Sequence, residues 1–298
     1  MSESLKELDD IAAKWRGGKA PSSQLRLRMA SAMSLAADTP ERRRTTREHL
    51  QAGILQADQD GKSSPTLVMT AHLNLAQLAM ADGDLPTAQR LFALAQTRCD
   101  QLGSTCGEVQ AAIGRGLAMV LRDQGRHAEA APVYEHTLAF VRSRFNATHP
   151  WITSLLVSYG MNAYLAGDYT HAESLLTQAI QSQDRSNDAG RHASLLSYHT
   201  LALIGLERYD EAEAEIRETL KESAPLGNEV MIWEVAMSHA AQAYINCIRH
   251  PQARWLGTLD EQLATLGKDK QIWQPRLGIV RGWIQRCSSL VPAGNAHP

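Results

Sequence analysis

One motif returns every 40 to 42 residues along this chain, and that recurrence constrains its fold more than any other feature. The segments G-D-L-P-T-A from Gly83, G-R-H-A-E-A from Gly125 and G-D-Y-T-H-A from Gly167 each end on an alanine, and Ala88, Ala130 and Ala172 stand 42 residues apart. Weaker copies follow at Ala212 (E-R-Y-D-E-A) and Ala253 (I-R-H-P-Q-A), at spacings of 40 and 41, so the period persists after the turn glycine is lost. A repeat of this length is one supersecondary unit that buries its apolar face only against its neighbours. The 298 residues therefore need not divide into conventional globular domains.

Each unit reads as two antiparallel helices. Twelve residues before each alanine stands a small residue (Ala76, Ala118, Gly160, Thr200, Ala241), and in four copies a large apolar one stands four after it (Phe92, Tyr134, Leu176, Ile216). Three further on come Ala95, Thr137, Ala179 and Thr219, completing the i, i+4, i+7 face of a second helix. Helices cross closely where both carry small side chains, with large neighbours filling the flanks. Gly83, Gly125 and Gly167 fall where a helix ends with positive φ, while Asp84 and Asp168 suit the N-cap of the next helix. Pro65 and His149-Pro150 start first helices. An upstream copy is visible in Ser34, Thr46 and Leu50, with Gly53 where Ala or Thr stands later. The expected fold class is all-α, an α-α superhelix of about six to seven helix pairs.

The pattern G-x-x-x-x-A-x-x-x-[FYL], with its small residue twelve before the alanine, resembles the tetratricopeptide repeat. The longer period and the T-H-P-W-I-T-S-L-L segment are similar to the kinesin-light-chain type, whose repeats also occur in tails of bacterial serine/threonine protein kinases. The resemblance covers roughly Leu25 to Leu266 and implies a protein-interaction module. No kinase signature accompanies it, and Leu73 stands beside Asn74 where the kinesin-light-chain groove has a second asparagine.

Composition bears on partners and compartment. Aromatics are only 5% against 44% apolar residues, which suits close helix packing. A net charge of -2 and a pI near 6.6 give nothing that drives the chain toward nucleic acid or an anionic membrane, and no apolar run is long enough to span a bilayer. Cys99, Cys106, Cys247 and Cys287 form no C-x-x-C pair and read as reduced thiols that pack as small residues, placing the protein in the cytoplasm. Gly61-Lys62-Ser63 lacks the upstream glycine and strand of a phosphate loop, so it reads as a linker. The eleven histidines include His192 and His199 on one helix face but supply no third ligand. Arg42, Arg43, Arg44 and Arg47 read mainly as a solvated face. No catalytic residue, metal site or cofactor is expected.

Residues 1–22 are expected to cap a repeat body over 23–266, and residues 271–290 to form a C-terminal helix ahead of a disordered tail at 291–298. That helix carries Trp273, Leu277, Val280, Ile284 and Cys287, widened by Ile272, Ile279 and Trp283. So wide a stripe suits a cap, and it also fits a homodimer contact or a truncated further repeat. In solenoids of this kind the first helix of each pair lines the concave side. Taking first-helix residues off the small-residue stripe gives the expected peptide-binding groove: Asn74, Gln77, Met80, Arg115, Met119, Arg122, Met161, Asn162, Tyr164, Tyr198, His239 and Gln242. Arg115 and Arg122, seven apart, are expected to grip an acidic or C-terminal peptide. The functional expectation is an adaptor or scaffold. A regulatory or sensor module, working with a kinase or transcription regulator on a peptide or small molecule, is the alternative.

Overall fold

A computed structural model describes residues 22–35, 37–183, 189–227, 231–268 and 274–291. The expected N-terminal cap and C-terminal tail lie outside these residues, apart from Ser22 and Val291. Among these residues thirteen α-helices follow one another: α1 (Ser23–Ser34), α2 (Pro40–Asp60), α3 (Pro65–Ala81), α4 (Leu85–Leu102), α5 (Val109–Asp123), α6 (His127–Arg144) and α7 (Pro150–Leu165), then α8 (Tyr169–Gln181), α9 (Ala189–Gly205), α10 (Tyr209–Ser223), α11 (Ile232–Arg249), α12 (Ala253–Leu266) and α13 (Gln274–Leu290). Among the described residues no strand interrupts them. They form six successive pairs and a final single helix, within two compact units, Met1–Phe140 and Val141–Pro298.

The repeat positions read from the sequence are the packing positions. In the first unit Ala76, Ala88, Ala118 and Ala130 are fully buried, and Phe92 and Tyr134 are at most 1% exposed. A Cβ on Gly116 would lie 2.2 Å from the Phe92 ring, and one on Gly53 would lie 2.6 Å from Leu27, so both sites need a residue without a side chain. The second unit repeats the device with different partners. A Cβ on Gly160 would come within 2.8 Å of Leu176, and one on Gly205 within 2.4 Å of the Tyr169 ring.

Four intra-pair turns are built alike. Gly83, Gly125 and Gly167 take φ of 77°, 76° and 82°, and Glu207 takes 59° at the place where the fourth copy has lost its glycine. In each, the amide after the turn residue donates across the helix end at 2.9 Å: Asp84 to Ala79, Arg126 to Leu121, Asp168 to Ala163 and Arg208 to Leu203. This is the hydrogen bond that closes a helix through a left-handed residue. Forming it on a glutamate costs about 1 kcal/mol in backbone strain. Asp84 and Asp168 cap the following helices, accepting from the amides of Thr87 at 3.2 Å and His171 at 3.1 Å. The fifth copy departs from the rule, because α11 continues to Arg249 and the chain turns over residues 250–252 instead.

The final helix packs on both α12 and α11. It thus takes the place that the first helix of a seventh pair would occupy. Leu277, Ile279, Val280, Trp283 and Cys287 are buried along it, Trp283 stacks on Tyr244 with ring centroids 5.2 Å apart, and Ile272 and Trp273 lie outside the described residues.

The cysteines contradict the expectation of four reduced thiols. Cys99 is bonded to Cys106 and Cys247 to Cys287, with Cα atoms 5.2 and 6.0 Å apart. Sequence spacings of 7 and 40 residues do not announce either pair. Folding does, because the short turn Gly103–Cys106 folds back on the end of α4, while α13 lies along α11. Cysteine usage therefore no longer argues for a cytoplasmic location. Among the described residues no helix is long and apolar enough to cross a membrane.

Candidate functional site

Within each unit the first helices of consecutive pairs pack side by side: α1 on α3 and α3 on α5 in one, α7 on α9 and α9 on α11 in the other. A first helix in the middle of its unit, α3 or α9, is thus covered by its own partner and by first helices before and behind. Little of its circumference is left to line a groove. In α7 too burial goes far: ten residues are buried, among them Met161 and Asn162, each 2% exposed.

The expected groove residues accordingly divide. Gln77 and His239 are exposed, and Met80, Arg115, Met119, Tyr164, Tyr198 and Gln242 are half-buried. Asn74, Arg122, Met161 and Asn162 are buried. Arg122, expected to grip an acidic ligand, is 5% exposed and donates from Nε to Asp123 Oδ1 at 2.8 Å. The reason is helical register. Arg122 stands four residues after the packing residue Ala118, and positions i and i+4 share a face. Burial also lowers the pKa of the Arg115 guanidinium, with Arg122 adding like-charge repulsion and Tyr134 partly offsetting both. Burial pushes the Tyr134 hydroxyl up to about 12. Polar groups here serve the interior of the first unit.

Other polar candidates are also committed to packing. His192 Nδ1 pairs with Glu222 at 2.8 Å, and His199 Nδ1 with Glu215 at 2.7 Å. Each histidine of α9 therefore faces a carboxylate of α10. Among the described residues no three His, Cys, Asp or Glu side chains are grouped to hold a metal. Arg43 Nε meets Asp82 at 2.6 Å, and Arg47 joins the same carboxylate. Gly61 ends α2 at φ 61° and Ser63 bonds Ser23, which makes G-K-S the linker expected.

The second unit contains a pocket that the sequence reading did not assemble. Ser194, Ser197, Tyr198 and Leu201 of α9 line it with Trp233, Glu234 and Met237 of α11 and Arg276 of α13. The Arg276 guanidinium lies 3.5 Å from the centroid of the Trp233 ring and 4.9 Å from that of Tyr198. It also donates from Nη2 to the Tyr198 hydroxyl. Glu234 Oε1 accepts from Ser194 Oγ at 2.6 Å. Selecting first-helix residues off the small-residue stripe gives Ser197 and Leu201 beside Tyr198, but none of the pocket's other residues. Trp233 and Arg276 are 43 positions apart, and no periodicity links them.

Helix hairpins stacked so that their first helices form one layer define a helical-repeat binding module. The tetratricopeptide-repeat family matches residues 108–185 and 69–93, so these stretches of the chain carry tetratricopeptide repeats. Its fold is similar to that of BtubC (BKLC) from P. vanneervenii, at a TM-score of 0.59 and 16% identity over 76% of this chain and 89% of that one. Kinesin-light-chain-like TPR repeats from Podosopora anserina give 0.58 and 16%, covering 70% of this chain and 99% of that one. A Rap protein complexed with competence and sporulation factor gives 0.61 and 12%, covering 95% and 78%. No curated protein matches the chain in sequence.

Proposed function

We propose that the chain is an adaptor that holds a segment of another protein against its first-helix layer. One observation carries this reading: first helices of consecutive pairs lie side by side and leave Gln77 and His239 exposed, with Met80, Met119 and Tyr198 half-buried beside them in their units. Amide, thioether and aromatic groups together take a peptide backbone and varied side chains without demanding one sequence. An acidic ligand gripped by Arg115 and Arg122 forms no part of the proposal, since the second of these is spent on Asp123. A photo-crosslinking residue at Gln77 or His239, in cells that make the protein, is expected to capture one recurrent partner. The same probe at Arg217, exposed on second helix α10, is expected to capture none. Capture only from Arg217 would overturn the assignment of the binding layer.

A regulatory reading draws on one comparison. The Rap protein, whose match covers 95% of this chain, is complexed with competence and sporulation factor. A sensor needs an enclosed pocket, and the pocket between α9 and α11 has only about 10 Å³ free with Arg276 in place, about the room of a single water, while the cavity of about 400 Å³ lined by Phe145, Ile152, Leu156 and Gln178 lies open to solvent. The adaptor reading is therefore the better supported.

A further inference from the structure

We infer that Tyr198, Trp233 and Glu234 form a recognition site for an arginine side chain on a partner peptide, and that the chain's own Arg276 occupies it. The inference rests on the adaptor reading and names the ligand chemistry for one part of the first-helix layer.

A guanidinium is planar, weakly hydrated and rich in donors, so it binds best over an aromatic face with an oxygen acceptor at its edge. The pocket supplies these parts. Trp233 provides a face at 3.5 Å, Tyr198 a second ring at 4.9 Å, and the Tyr198 hydroxyl an acceptor. The carboxylate of Glu234 lines the same space, held by Ser194. Lysine would fit less well, because its compact, strongly hydrated ammonium does not stack.

The occupant comes from the first turn of α13, and the rest of that helix is anchored without it. Leu277, Val280, Trp283 and the Cys247–Cys287 bond hold α13 against the unit. Arg276 can therefore leave its rings without undocking the helix. Its guanidinium reaches the pocket from a neighbouring polypeptide segment, which is the geometry an arginine on a bound peptide would reproduce. The two compete for one place.

The test uses the full chain and fluorescein-labelled pentapeptides Gly-Ser-X-Ser-Gly, with X as Arg, Lys or Gln, followed by anisotropy. Arg276→Ala is expected to bind the Arg peptide at least tenfold more tightly than the unaltered protein does, with a smaller gain for Lys and none for Gln. Adding Trp233→Ala is expected to abolish the gain. Equal gains for Arg and Gln peptides, or no binding by either protein, overturn the inference. Circular dichroism checks that each variant folds, and Arg276→Lys, which keeps the charge but loses the stack, is expected to show an intermediate gain. If crosslinking at Gln77 and His239 captures a partner whose binding ignores Trp233 and Arg276, the arginine site falls while the adaptor reading stands. Free arginine that competes as well as the peptide does would also overturn it, since the site would then take the amino acid.

Discussion

In the unit Met1–Phe140, Arg122 is 5% exposed and bonded to Asp123, with Tyr134 buried nearby. In the unit Val141–Pro298, Arg276 keeps intermediate exposure and rests on the rings of Tyr198 and Trp233. Both arginines meet first-helix residues, yet one belongs to the interior and the other fills a pocket. The difference comes from where each is rooted. Arg122 stands on the packing face of its own helix, four residues from Ala118, whereas Arg276 reaches across to α9 and α11 from α13. A repeat fixes its packing positions in every copy, and binding chemistry enters where a neighbouring element supplies a group that the repeat does not.

The largest expected effect concerns the disulfide inside each unit. Closing a loop of 40 residues, the Cys247–Cys287 bond is expected to contribute about 4 kcal/mol, against about 2 kcal/mol for the 7-residue Cys99–Cys106 loop. Urea unfolding of Cys247→Ser/Cys287→Ser and of Cys99→Ser/Cys106→Ser measures both. A larger loss from the short loop would mean that native packing, rather than loop length, sets the order.

Arg122→Ala comes next. It leaves the Asp123 carboxylate, 13% exposed, without this charge partner and is expected to cost about 3 kcal/mol. Arg276→Ala removes a partly exposed cation over a ring and is expected to cost about 1 kcal/mol or less. Equal losses in the same unfolding experiment would erase the contrast between an interior arginine and a pocket one.

What was legible in the sequence follows the same division. The packing comb was readable because helical geometry repeats it: Ala88, Ala130, Ala172 and Ala212 are all fully buried. The fourth turn was readable from the period alone, and Glu207 keeps the left-handed conformation without glycine. The groove was readable only in part. Excluding the small-residue stripe did not exclude residues four further on, so Arg122 was taken for lining, and packing on several sides buried Asn74, Met161 and Asn162. The Tyr198–Trp233–Arg276 cluster and the Cys247–Cys287 bond join residues whose proximity depends on how helices stack, and the Cys99–Cys106 bond depends on a short turn folding back on its helix; the repeat pattern encodes neither.

The last expected effect is a titration. Tyr134 is fully buried, and burial raises its hydroxyl from 10.0 to about 12, with Arg122 and Arg115 pulling the other way. The folded chain thus holds this proton to higher pH than the unfolded chain does. Its contribution to stability is complete below pH 10 and is lost as pH rises toward 12. Tyr164 in the other unit is raised in the same direction, also chiefly by burial. Stability of the unaltered protein should therefore fall across this window, with Tyr134 contributing in the first unit and Tyr164, Tyr209 and Tyr244, all raised by burial, in the second. Tyr134→Phe and Tyr164→Phe should each flatten the fall, and the double variant should flatten it more. If Tyr134→Phe declines between pH 10 and 12 as steeply as the unaltered chain, the Tyr134 hydroxyl is not held in the dry interior that sets the first unit apart.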